Sequence, residues 1–220
     1  MKHIIEHTDD GSATLFVPEL AEHYHSTKGA RTESQHVFID MGMKHSLREE
    51  LRILEVGFGT GLNAFLSLLA ATETHKKVHY TAIELYPLPW NVVDELQYTP
   101  NPLFGKLHTT PWETDNEITA SFTLLKRNTD FTSFGYTNEL PFDVVYFDAF
   151  APEKQPEMWE QSLFDALYPA MNNGGILTTY CAKGSIRRML RQSGFTVERL
   201  PGPPGGKREI LRATKIQLSI

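Results

Sequence analysis

Residues 52–63 read Arg52-Ile53-Leu54-Glu55-Val56-Gly57-Phe58-Gly59-Thr60-Gly61-Leu62-Asn63, a short β-prone run that passes directly into glycines spaced G-x-G-x-G. Leu62, Phe65, Leu66 and Leu69 then recur at helical intervals, so the stretch predicts strand, tight turn and helix. Glycine suits a backbone that must turn sharply and admit a ligand with no Cβ in the way. A dinucleotide fingerprint would be G-x-G-x-x-G, with the helix N-terminus aimed at a pyrophosphate. Here the third glycine comes one residue early and Leu62 fills its place, so an adenosyl ligand without phosphates fits better.

Outward from this turn, strand-like and helix-like segments alternate. A second run, Val78 to Glu84, ends in an acidic residue, and a third, Phe142 to Phe147, ends just before Asp148. Glu84 follows Gly61 by 23 residues, close to the roughly 20-residue interval at which an acidic side chain reaches ribose hydroxyls. A carboxylate accepts from both hydroxyls of one ribose more strongly than a neutral side chain does. Together the glycine turn and Glu84 point to S-adenosylmethionine. A helix is predicted over Pro156–Met171, stopped by Asn172-Asn173-Gly174-Gly175. Ile176–Tyr180 reads as a buried strand and Ser185–Gln192 as a helix closed by Gly194. Such alternation implies parallel crossovers and a sheet covered on both faces. Phe195–Leu200 and Glu209–Thr214, joined by Pro201-Gly202-Pro203-Pro204-Gly205-Gly206, predict a final antiparallel hairpin on the sheet edge.

With 220 residues, 21 Lys+Arg, 27 Asp+Glu and 40% hydrophobic residues, the chain suits one domain rather than two. Within it, residues 1–50 are expected as an N-terminal extension packing on a core of residues 51–220. About 109–140 forms a hairpin insertion around a strand-like Ile118–Arg127. The net charge of −6 disfavours a surface that grips nucleic acid everywhere, while leaving room for a local basic face. Cys181, the single cysteine, excludes an internal disulfide and a Cys-rich zinc site and reads as a small packed residue. His23-Tyr24-His25 offers ligands two apart, but no carboxylate or thiol motif completes a site, so no metal is expected. No apolar run approaches the roughly 18 residues of a membrane span, and the early Glu6, Asp9 and Asp10 do not suit a signal peptide. The expectation is a soluble protein of a reducing cytoplasm.

Asp148-Ala149-Phe150-Ala151-Pro152-Glu153-Lys154-Gln155-Pro156-Glu157-Met158-Trp159 follows the third strand. Ligands of open α/β sheets sit outside the carboxyl ends of strands, so Asp148 is expected to face the same crevice as Gly57. Pro152 and Pro156 stiffen a lip beside it. Methyl transfer from a sulfonium to an amine needs the nucleophile in line and one proton managed. Asp148 is the candidate acceptor, since a protonated amine cannot attack. There is a tension, because a carboxylate also stabilises the ammonium form. Either burial lifts the pKa of Asp148, or the carboxylate orients the amine while water takes the proton.

Glu55–Asn63, Ile83–Leu88, Asp148–Trp159 and Gly205–Leu211 resemble the methyltransferase domain of the tRNA 5-methylaminomethyl-2-thiouridine biosynthesis proteins, the MnmC/MnmD family, over roughly residues 30–214. The most specific parts are the D-[AG]-F-A-P-x-x-x-P-x-M-W run and the closing G-K-R-E. The resemblance implies an α/β, Rossmann-like class I S-adenosylmethionine-dependent methyltransferase fold: a mostly parallel seven-stranded sheet with a terminal antiparallel hairpin. It implies N-methylation of the 5-aminomethyl group on the wobble (2-thio)uridine, with tRNA bound at its anticodon region. Glu55, Gly57, Phe58, Gly59, Gly61, Asn63 and Glu84 would line the cofactor site. Asp130 would lie near adenine, although Thr129 stands where the family has glycine. Asp148 would be catalytic, with Phe150, Pro152, Tyr180, Lys207 and Arg208 toward the substrate, and Gln35-His36-Val37-Phe38 would help wall the site. Bifunctional relatives add an FAD-dependent oxidase, for which 220 residues leave no room, so a stand-alone form without FAD is expected. Two alternatives remain: an aminopropyltransferase of the polyamine-synthase kind, and a non-catalytic tRNA-binding module on the same scaffold.

Charge is polarised along the chain. Lys183, Arg187, Arg188, Arg191, Arg199, Lys207, Arg208, Arg212 and Lys215 face only Glu198 and Glu209 over the same stretch. A phosphate-binding surface there would position a substrate without reading its base. Base recognition would need stacking, for which Phe150, Tyr180 and Trp159 are available, Trp159 reading more readily as core.

Overall fold

The computed structural model describes residues 2–136 and 139–216. β1 (Ile4–His7), β2 (Ala13–Val17) and β3 (Glu22–His23) form a small antiparallel sheet. Helix α1 (Ala30–Ser34) then runs into a π-helical stretch, Gln35–Asp40. Next come β4 (Glu50–Val56), α2 (Leu62–Glu73), β5 (Lys77–Ile83), α3 (Trp90–Asp94), α4 (Pro102–Thr109), β6 (Asp115–Thr119) and β7 (Phe122–Arg127). The chain continues through β8 (Phe142–Phe147), α5 (Gln161–Leu167), β9 (Met171–Thr179), α6 (Gly184–Gln192), β10 (Thr196–Pro201) and β11 (Glu209–Thr214).

The second sheet runs β10-β11-β9-β8-β4-β5-β7-β6. Five neighbours, β7-β5-β4-β8-β9, pair in parallel. Side chains alternate between its two faces. Leu51 and Ile53 of β4 and Val144 and Tyr146 of β8 join the core under α2 and α4. Leu54, Val56, Val145 and Phe147 join the core under α5 and α6. Strands covered on both faces read as apolar runs rather than as alternation, which is how β8 reads.

Two expectations are corrected. The sheet has eight strands, not seven: Ala120 and Ser121 turn the chain, so Ile118–Arg127 is a hairpin whose β6 adds an edge. Only β6 is additional there, since β7 pairs in parallel with β5. The closing antiparallel hairpin stands on the sheet edge as expected, with β10 outermost and β11 between β9 and β10. Ile210, Leu211 and Ala213 of β11 are buried, whereas most of β10 is exposed, so the more apolar strand takes the interior slot. The helix after Asp148 is shorter than predicted. Pro156–Trp159 is a 3₁₀ turn, α5 ends at Leu167, and the Asn172–Gly175 segment lies inside β9. Pro169, which has no N–H to donate, stands just beyond the end of α5.

Candidate active site

The loop between β4 and α2 is fastened from several sides. Gly57 N–H and Phe58 N–H both donate to Ile83 O, at 3.0 and 3.2 Å, and Gly59 N–H donates to Glu84 Oε2 at 3.0 Å. Gly57 has φ +91, and a Cβ there would stand 2.8 Å from the Asp148 backbone oxygen. Gly61, at φ +70, caps α2 where a Cβ would meet His108 Nε2 at 2.5 Å. Thr60 between them is held by two histidines: His108 Nε2 lies 3.1 Å from its carbonyl and His25 Nε2 2.7 Å from its hydroxyl. Burial pushes both imidazoles down to a pKa of about 4, so both are neutral near pH 7.

The first turn of α2 brings Asn63 to Asp148, with Nδ2 donating to Oδ2 at 2.8 Å. Asp148 opens partly onto the cavity at the end of β8, where burial lifts its pKa to about 7. The Asn63 hydrogen bond opposes that rise, Glu33 adds to it, and Lys207 works against it. Glu55 lies behind them with no exposed surface. Burial first, then the charge of Asp148, raise its pKa well above the ordinary carboxyl range; Asn63 and Tyr80 pull the other way. Neither Glu55 oxygen makes a hydrogen bond of normal geometry. A neutral carboxyl suits that position, because an unpaired buried charge would be costly.

These elements enclose a cavity of about 510 Å³. Gly57, Phe58 and Gly59 form one side, Ile83 to Tyr86 with Asp130 and Phe131 the next, and Asp148 to Ala151 with Tyr180 the far side. The N-terminal layer roofs it through Tyr24 and His25, and the Tyr24 ring meets Phe150 edge-on at 5.1 Å.

Residues 125–216 match a family described as S-adenosyl-L-methionine-dependent methyltransferase. The tRNA 5-methylaminomethyl-2-thiouridine biosynthesis bifunctional protein MnmC of Cupriavidus metallidurans is 31% identical over 229 residues, covering 92% of this chain and 32% of that protein. Its namesake from Magnetococcus marinus is 30% identical over 223 residues, covering 94% and 32%. The crystal structure of MNMC2 from Aquifex aeolicus superposes with a TM-score of 0.76 at 26% identity, over 99% of this chain and 72% of that one. The chain is similar to the methyltransferase domain of the MnmC proteins over nearly its whole length. It spans about a third of the length of these curated MnmC relatives. A methyltransferase from Pyrococcus furiosus, at 19% identity and a TM-score of 0.51, shares the fold.

The MnmC-type residues expected from the sequence divide by position. Gly57, Phe58, Gly59, Asn63, Glu84, Asp130, Asp148, Phe150, Tyr180 and Lys207 line the cavity. Glu55 and Gly61 sit behind it, while Pro152 and Arg208 lie outside its lining, Arg208 exposed. The segment Gln35–Phe38 is not in the lining either; Val37 and Phe38 are core, and His36 Nε2 reaches Pro201 O at 2.8 Å. Tyr24, His25 and Glu33 line the cavity without having been singled out as site residues. β3 ends at His23, which pairs with Glu6 at 2.9 Å, and the bend that follows carries Tyr24 to Phe150 and His25 to Thr60. Among the described residues no cluster of three His, Cys, Asp or Glu could hold a metal, and no helix is long and apolar enough to cross a membrane.

S-adenosyl-L-methionine is the cofactor of the matched family, and the cavity fits it. Glu84 Oε1 and Oε2 each accept one backbone N–H, from Tyr86 at 2.9 Å and from Gly59, leaving lone pairs for two ribose hydroxyls. Gly57 and Gly59 let the Asp148 backbone and the Tyr24 ring close against the cavity floor, since a Cβ there would stand 2.8 Å from Asp148 O or 3.1 Å from the ring. Asp130 keeps Oδ1 on Thr132, capping a short turn at the cavity edge.

Proposed function

We propose that this chain is an S-adenosylmethionine-dependent N-methyltransferase. Its acceptor is the 5-aminomethyl group of a (2-thio)uridine at the tRNA wobble position, which becomes 5-methylaminomethyl. When bound, the donor supplies an electrophilic methyl carbon on a sulfonium. Glu84 would hold the ribose hydroxyls and Asp130 would border the adenine. Tyr24 and Phe150 shield the reacting end from water. Asp148 accepts the ammonium proton, freeing the nitrogen lone pair for in-line attack.

The observation that carries this reading is Asp148, set beside the glycine loop by Asn63, with a pKa raised to about 7. A carboxylate of ordinary acidity would be a feeble base; one titrating near neutrality exchanges a proton with an alkylamine far more readily. Burial thus answers the tension between accepting the proton and stabilising the ammonium. The named role of the MnmC relatives in 5-methylaminomethyl-2-thiouridine biosynthesis supports the same acceptor. Arg187, Arg188, Arg191 and Arg208 have no ion-pair partner among the described residues, and they supply a surface for tRNA phosphates in the cytoplasm.

Tritiated S-adenosylmethionine with undermodified tRNA tests it. Label in 5-methylaminomethyl uridine is the expected result. Label confined to small amines, or donor binding without turnover, would overturn it.

A further inference from the structure

Lys207 belongs to the loop between β10 and β11, yet its ammonium reaches into the cavity. Nζ lies 3.0 Å from Glu33 Oε1 and 3.7 Å from the centroid of the Tyr180 ring. Both partners are fixed by other bonds. Glu33, only 7% exposed, accepts the Ser26 backbone N–H on Oε2 at 2.9 Å. The Tyr180 hydroxyl donates to Ala149 O at 2.8 Å, one residue from Asp148. Glu33 and Lys207 both influence the titration of Asp148, so carboxylate, ring and proton acceptor share one space.

A buried carboxylate beside an aromatic face binds alkylammonium groups in general, through ion pairing and attraction to the ring. The rest of the lining matches a cation. Glu22, Glu84, Asp130, Asp148 and Glu157 are acidic, and Lys207 is the single Lys or Arg among the described lining residues. Lys207 reaches this cage from an exposed glycine-rich loop, with Gly205 at φ +72. Its side chain can leave without disturbing the core.

We propose that Glu33 and the face of Tyr180 recognise the ammonium form of the incoming aminomethyl group, and that Lys207 holds this cage until the substrate displaces it. The proposal rests on the function given above and deepens it by naming specificity-determining residues. The charged amine is delivered beside Asp148, which then removes the proton. Once displaced, Lys207 is a free cation at the cavity mouth. While it occupies the cage, apparent substrate affinity falls by the fraction of molecules with the cage open.

Calorimetric titration with the nucleoside 5-aminomethyluridine, in the presence of S-adenosylhomocysteine, tests this, with 5-hydroxymethyluridine as the neutral control. Lys207→Met keeps the stem and removes the charge. It should bind the aminomethyl nucleoside on the order of tenfold more tightly, as for a cage open about a tenth of the time, with the hydroxymethyl control unchanged. Glu33→Gln should weaken the aminomethyl nucleoside selectively. Lys207 is exposed, so its variant keeps the question answerable if Glu33→Gln does not fold. A Lys207→Met protein that binds the aminomethyl nucleoside no more tightly than wild type overturns the cage. Label transfer to tRNA by the wild type is measured alongside. Its absence counts against the proposed function, whereas intact transfer with unimproved binding counts against the cage alone.

Discussion

Asn63 Nδ2 and Asp148 Oδ2 stand 2.8 Å apart, tying the first turn of α2 to the end of β8. Asp148 Oδ1 has no protein donor among the described residues, and the proposed function gives that atom to the incoming amine. Asp148→Asn should therefore lower turnover by about 10²-fold or more, the usual scale for losing a general base, while donor affinity changes much less. Single-turnover rates and calorimetry separate the two. Equal losses would move Asp148 into the donor-binding set.

The same substitution has a signature in stability. Burial raises the Asp148 pKa from 3.8 to about 7, so the folded protein favours the protonated form. That contribution is complete below the unfolded value and is lost as pH rises through the folded one. Asp148→Asn should raise Tm more at pH 8 than at pH 4, by roughly 2–4 °C for each kcal/mol relieved. Thermal melts at both pH values read the difference; an identical shift at both contradicts it.

His25 and His108 titrate in the opposite sense. Each falls from 6.5 to about 4 through burial, so the unfolded chain takes up protons first. The resulting loss of stability grows as pH drops from 6.5 to 4. Replacing both by glutamine, which can still hydrogen-bond Thr60, should flatten the pH dependence of urea midpoints across that window. A slope as steep as in the wild type would show that other groups control it.

Glu84→Ala should weaken donor binding by about 10- to 100-fold, the worth of one strong charged hydrogen bond. The variant also frees the Gly59 N–H that Oε2 now accepts, so the glycine loop loosens together with the ribose contact. Calorimetry with S-adenosylmethionine measures the change, and an unaltered Kd would remove Glu84 from the site.

Arg187, Arg188 and Arg208 replaced together by alanine should weaken tRNA binding and flatten its salt dependence by up to about one unit of log–log slope for each lost phosphate contact. Lys183, Arg199 and Arg212 are engaged with Glu153, Glu209 and Glu198, and serve as the comparison set. Filter binding at several salt concentrations reads the slope; an unchanged slope would place the phosphates elsewhere.

Local chemistry made the centre of this fold readable from the chain. Glycines after an apolar strand, an acidic residue at the end of the next and Asp148 at the end of the third all follow from short-range pattern. Placement decided by long-range packing was not readable. Glu33 gave no signal, since its importance lies in meeting Lys207 from 174 residues away. Tyr24 and His25 were visible only as members of a His-x-His pair, and the roof they form depends on a separate small sheet. Lys207 and Arg208 were both expected toward the substrate, and nothing in Gly-Lys-Arg-Glu distinguishes the inward side chain of the first from the outward one of the second. The slot taken by β11 was hidden for the same reason: a hairpin has one sequence signature whichever strand lies inside.

That slot has a consequence for how the molecule is made. β11 pairs with β9 on one side and β10 on the other, yet the ribosome delivers it after both. Until residue 209 emerges, β10 has no neighbour in the sheet and β9 presents a bare apolar margin. The lysine that meets Glu33 is also only then leaving the exit tunnel. Closure of this side of the sheet and cavity therefore waits for residues 207–214, and a nascent chain stalled before them would carry a sticky edge beside an incomplete pocket.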